Sequence, residues 1–131
     1  MTVKEYIEKN VSKTVRQPEQ SAGFVKMPRP FSVPCINGTF DTFYYWDTYF
    51  SNLAFLRCGM EEQVKNNLDI MAFFVEKWGF VPNSDIIPDR SQPPLFTRGV
   101  YDLFKKTGDE AVIGRYCGAI SNELDFWYYE R

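Results

Sequence analysis

The chain has 131 residues, and its 15 Lys and Arg against 17 Asp and Glu leave a formal net charge of −2. That balance argues against nucleic acid or an anionic membrane as a partner, and a hydrophobic content of 44% argues against disorder. Histidine is absent from the sequence, which excludes Ser-His and Cys-His nucleophile pairs, histidine-ligated zinc and a histidine general base.

The pattern is helical nearly throughout. Residues 3–14 place Val3, Tyr6, Ile7 and Val11 on one face, with Thr2 as the N-cap. An irregular entry segment follows over 16–41, where Pro18, Pro28, Pro30 and Pro34 exclude a continuous helix. A second helix is expected from Trp46-Asp47 to Cys58, its apolar face supplied by Tyr49, Phe50, Leu53 and Leu56, with Gly59 just past its end. A third runs over 61–78, where Val64, Leu68, Met71, Val75 and Trp78 alternate steps of three and four. Gly79 ends it, and a second irregular segment occupies 80–94. A fourth helix begins near Pro94, carries Phe96, Val100, Leu103 and Phe104, and stops at Thr107-Gly108. A fifth opens with Asp109 as N-cap and lines up Ile113, Tyr116, Ile120, Leu124 and Trp127.

No strand alternation is visible, so the expected class is all-α. Short links inside the helix pairs and long loops between them are the layout of an α/α toroid or solenoid, with function at the loop-rich end. The last helix is still aromatic at Phe126-Trp127-Tyr128-Tyr129 where the sequence stops, as expected of a piece of something longer. An open arc of that kind would expose apolar helix faces and self-associate.

Cys35, Cys58 and Cys117 are odd in number and widely spaced, which reads as free thiols in a reducing compartment. The N-terminus shows no apolar signal region, and no stretch approaches the length that spans a bilayer. A cytoplasmic location is therefore expected, without contact to membrane.

Two segments carry the polar chemistry. In Asn37–Phe50, Trp46 and Asp47 fall where a loop enters a helix. Asp47 has an ordinary role there as an N-cap or first-turn carboxylate. A flat indole beside an acceptor-only carboxylate also suits a sugar, which presents apolar C–H faces and hydroxyl donors. In Gly79–Pro94, prolines stiffen a loop crowded with Asn83, Asp85, Asp89, Arg90, Ser91 and Gln92. Such a loop can bond its own backbone or a polyhydroxylated ligand. Asp41, Asp47, Asp85 and Asp89 could supply a carboxylate pair for glycoside hydrolysis, but their spacing identifies none. No cofactor or metal site is indicated.

Together these segments resemble the trehalase family of glycoside hydrolases. The resemblance rests on Tyr44-Tyr-Trp-Asp47-Thr-Tyr-Phe50, Gly79-Phe-Val-Pro-Asn83 and Arg90-Ser-Gln-Pro-Pro94, in that order, and covers about residues 33–131. It implies that residues 1–131 form one segment of an (α/α)6 catalytic toroid with an inverting mechanism. It also implies that Trp46, Asp47, Asn83, Arg90 and Gln92 line the glucose subsite nearest the scissile bond. The catalytic acid and base would lie downstream of residue 131, leaving this chain inactive alone.

Thr39 and Thr42 stand where the family's first signature carries Arg and Glu, and the 83–90 loop is short and lacks a family Arg. Two alternatives stay open on the residues. One is a related α-glucosidase with a different glucoside substrate. The other is a non-catalytic helical sugar-binding or interaction module. In each, the partner is a small sugar such as a glucoside or disaccharide.

Overall fold

The computed structural model describes residues 1–130, which form an all-α fold with one very small sheet. The first helix, α1 (Val3–Asn10), is opened by a capping box: Thr2 Oγ1 accepts from the Glu5 N–H and the Glu5 carboxylate accepts from the Thr2 N–H. It is shorter than the sequence suggests. The Asn10 side chain bonds back to the Tyr6 carbonyl, and residues Val11–Thr14 tighten into a 3-10 turn. The expected stripe of Val3, Tyr6 and Ile7 stays exposed, and only Val11 reaches the core.

The entry segment contains a two-residue ladder that the sequence does not announce. β1 (Val15–Arg16) pairs antiparallel with β2 (Phe31–Ser32), in the register Val15 to Ser32 and Arg16 to Phe31. Two residues are too short to show an alternation. A buried amide holds this ladder to the helices. Asn67 accepts from the Ser32 N–H (3.2 Å) and from Gln63 Nε2 (3.0 Å), and donates to Ser32 Oγ (3.0 Å) and Asn52 Oδ1 (2.7 Å).

Four longer helices form two hairpins: α2 (Tyr45–Arg57) with α3 (Glu61–Trp78), and α4 (Phe96–Thr107) with α5 (Ala111–Tyr129). The Asn52–Asn67 bond pairs the later half of α2 with the earlier half of α3, as an antiparallel hairpin requires. α3 packs against both members of the second hairpin. Gly99 lets α3 and α4 approach closely, since a Cβ there would sit 3.1 Å from Leu68 Cδ2. Gly79 and Gly108 close α3 and α4 in the left-handed region, with φ of 82° and 68°.

The helix faces match the expected ones on α3 and α4 and are turned on the other two. α2 buries Tyr45, Thr48, Tyr49, Asn52, Phe55 and Leu56, while Phe50 is half exposed. α5 buries Val112, Tyr116 and Glu123, leaving Ile113 and Leu124 outside. Helix starts differ as well. Pro94 lies outside α4, which begins at Phe96 after Leu95 as cap. Glu110 takes the α5 cap position, and Asp109 serves through Oδ1, which accepts from the Ala111 N–H.

On the flank of α3, near its middle, Asp69 gathers three side chains. Arg115 grips it through Nε and a terminal nitrogen (2.9 and 2.8 Å), Tyr116 donates at 2.8 Å and Arg29 at 3.3 Å. Burial alone would raise the Asp69 carboxyl, but the bonds from Arg115, Tyr116 and Arg29 outweigh it and hold it below 3.8. Its contribution to stability is thus present above the unfolded value and is lost as pH falls through the folded one. Asp69→Ala should lower unfolding free energy by about 1–3 kcal/mol at neutral pH. Urea titration checks this, and the deficit should shrink on acidification.

Candidate functional site

The first turn of α2 and the 80–94 loop are stitched together by backbone-directed bonds. The Tyr45 N–H donates to the Asn83 carbonyl at 3.1 Å, and the Trp46 N–H donates to Gln92 Oε1 at 2.7 Å. Both are N–H groups that a starting helix cannot satisfy internally. The loop is closed on itself by the Asn83 N–H, which donates to the Arg90 carbonyl at 2.7 Å, and by Ser91 Oγ, which donates to the Val81 carbonyl at 2.6 Å. Trp46, Asp47, Asn83, Arg90 and Gln92 thus belong to one surface region.

The five differ in what they offer. Trp46 is 43% exposed and its ring lies 6.1 Å from that of Phe50, which is also open to solvent. Asp47 is not an N-cap, because Tyr44 holds that position. It sits in the first turn, half-buried, where the helix dipole favours a carboxylate. Among the described residues, neither the Asp47 carboxylate nor the Asn83 carboxamide has a hydrogen-bonding partner. The Arg90 guanidinium is exposed and forks onto its neighbour Asp89 at 3.1 and 3.3 Å. Gln92 uses its carbonyl on Trp46 and keeps its amide donors. The region therefore presents an aromatic face, a free acceptor, free amide groups and a cation.

The four aspartates form no acid–base pair. Asp41 is taken by Arg16 (2.6 Å) and Asp89 by Arg90. Asp85 is fully buried and accepts from the Thr42 and Ser21 hydroxyls. Its carbonyl also accepts from the Phe24 N–H (3.1 Å), so residues 21–24 strap across the loop. A Cβ at Gly23 would overlap the Asp85 carboxylate, which explains glycine there.

Two residues behind the site escaped the sequence reading. The Tyr45 phenol donates to Glu123 Oε1 at 2.6 Å and accepts from the Phe96 N–H at 2.8 Å, joining the starts of α2 and α4 to the later half of α5. Burial pushes the Glu123 carboxyl from 4.5 up to about 7, against the lowering effect of the Tyr45 bond. The available signal was periodic: Glu123 lies seven residues after Tyr116 and four before Trp127, a core position filled by an acid.

Clefts among the described residues lie elsewhere, three of them against α3, α5 and α1. One of about 430 Å³ includes Arg29, Lys65, Asp69 and Arg115. Two of about 600 and 540 Å³ flank α1. None of the three is lined by the five predicted site residues, which occupy an open face. Among the described residues no group of three or more His, Cys, Asp or Glu side chains could hold a metal ion, and no helix is long and apolar enough to cross a membrane.

The sequence model of the family described as Trehalase matches residues 2–131. A periplasmic trehalase of Pseudomonas aeruginosa is 32% identical over 108 residues, covering 81% of this chain and 19% of its own. A Bombyx mori trehalase is 34% identical over 115 residues, covering 86% of this chain and 19% of its own. A Tenebrio molitor trehalase is 34% identical over 125 residues, covering 94% and 22%. The chain thus spans about a fifth of the length of these curated relatives.

Two outcomes are expected here. Gln92→Ala should speed solvent exchange of the Trp46 amide and cost about 1 kcal/mol, read by hydrogen exchange and by urea titration. Because the Glu123 carboxyl is raised on folding, its stability effect is most favourable at and below about 4.5 and is lost as pH rises to about 7. Glu123→Gln should flatten that decline, which thermal melts across the range will show.

Proposed function

The chain belongs to the trehalase family, and we propose that it is the sugar-binding arc of an inverting glycosidase acting on α-glucosides such as trehalose. In this reading, the described hairpins are part of an (α/α)6 toroid, with residues 16–41 as its entry segment and 80–94 as the loop between helix pairs. The observation that carries the reading is the joining of the Trp46-Asp47 turn to Asn83 and Gln92 by the Tyr45 and Trp46 amide bonds. Those bonds support a shared face on which Trp46 stacks a pyranose ring. Asp47 accepts from its hydroxyls, and Asn83, Gln92 and Arg90 supply donors.

Inversion needs one carboxylic acid on the leaving oxygen and a carboxylate across the ring to activate water. The aspartates near this face are engaged with Arg16, Arg90, Thr42 and Ser21, apart from Asp47, which the reading assigns to substrate. Both reacting carboxylates are therefore assigned to sequence beyond residue 131. The second reading, a related α-glucosidase, is favoured by Thr39 and Thr42, which remove two charges that the family signature carries. Thr42 is buried and donates to Asp85, so it cannot serve the sugar as a charged group would. A purely sugar-binding module shares the same face without the reaction. For location, the free thiols Cys35, Cys58 and Cys117 support the cytoplasm, while the names of two bacterial relatives point to the periplasm.

Glucose titrated into the chain should shift the amide signals of Trp46, Asn83 and Gln92, and Asp47→Ala should weaken binding by about tenfold. Shifts confined to other surfaces overturn the site. Purified chain should release no glucose from trehalose or maltose, and release would overturn the assignment of the reacting carboxylates.

A further inference from the structure

We propose that Glu123 is a positioning residue for the sugar face, acting through the Tyr45 phenol on the first turn of α2 and so on Trp46 and Asp47. This rests on the sugar-binding reading above for its consequence, but the coupling itself stands on geometry. Glu123 is fully buried, and its Oε1 takes the Tyr45 hydroxyl at 2.6 Å. The other oxygen, Oε2, is buried without a partner, as is Trp127 Nε1 one turn later on the same helix. Tyr45 is the residue before Trp46. Its phenol also receives the Phe96 N–H, and its own amide is bonded to Asn83. One residue therefore joins the first turn of α2 to α4 and α5 through its side chain and to the 80–94 loop through its backbone.

The charge state of Glu123 decides how well this junction is satisfied. A neutral carboxyl suits a site with one donor and an apolar surround. An ionised one leaves a buried negative oxygen uncompensated, which a protein relieves by admitting water or shifting its neighbours. The titratable group that faces it is the Tyr45 hydroxyl from α2. Among the described residues it has no cation to pair with, and only burial and Tyr45 act on its titration. Tyr45 cannot take the charge instead, since burial and then Glu123 push its phenol far above its ordinary value. Glu123 titrates around neutrality for the same reason, so the junction changes state within the physiological range. Burial opposes the ionised form although the Tyr45 bond favours it, so the neutral form holds the α2 turn as described and ionisation loosens the packing around it.

The test follows backbone and indole signals of Trp46 in the isotopically labelled 131-residue chain between about pH 5.5 and about pH 8.5, for wild type, Glu123→Gln and Tyr45→Phe. In wild type, both signals should move with a midpoint near 7, and in Glu123→Gln they should stay at the low-pH position throughout. Tyr45→Phe should also abolish the titration, and it carries the comparison if the glutamine variant does not fold. A flat wild-type profile, or the same titration in Glu123→Gln, overturns the proposal. Glucose is the binding probe: affinity should be roughly threefold or more tighter at the acid end, with the ratio falling to about one in Glu123→Gln. If Trp46 titrates as expected but glucose binds at neither end, the coupling holds and the sugar-binding reading falls.

Discussion

A helix must begin with backbone N–H groups that its own turns cannot satisfy, and at α2 those groups are answered from far along the chain. Asn83 and Gln92 lie 38 and 46 residues beyond the amides they accept from. Without them the first turn would be left to water, and the loop after α3 would lose its main anchor. With them, one aromatic and one acidic side chain are presented beside a stiff polar loop. The mutual position of Trp46, Asp47, Asn83 and Gln92 thus follows from capping a helix before any ligand is considered.

The hairpins serve this junction by setting where the helices start. α2 and α4 begin at the same end, close enough for the Tyr45 phenol to receive the first amide of α4. Midway along α3, different chemistry ties the pairs together, with two guanidinium groups and a phenol converging on Asp69. Two residues earlier on α3, Asn67 satisfies the edge of the small ladder and crosses to Asn52. These polar ties are set within apolar packing from Phe55, Leu68, Phe74 and Leu103.

Much of this was legible in the sequence where periodicity is strong. The bounds of α3 and its buried stripe follow from the three-and-four spacing, and glycine marks its end and that of α4. The face of α2 was misread because Thr48 and Asn52 occupy core positions while Phe50 points outward, reversing the usual sorting by polarity. The same inversion hid Glu123 on α5. The β1–β2 ladder was invisible because its register depends on a contact with Asn67, not on alternation. For the site, the segments were legible as motifs, but their junction was not. A carboxamide 46 residues away leaves no local mark at the amide it binds.

α1 stands apart from all of these ties. It closes its own ends through Thr2, Glu5 and Asn10, and none of its residues is buried. Its opening therefore costs the core almost nothing, and it behaves as a separate unit of local stability. That makes its outer face a convenient attachment point. A dye, spin label or surface tether placed there would report on the molecule without touching the α2 turn or the loop that faces it.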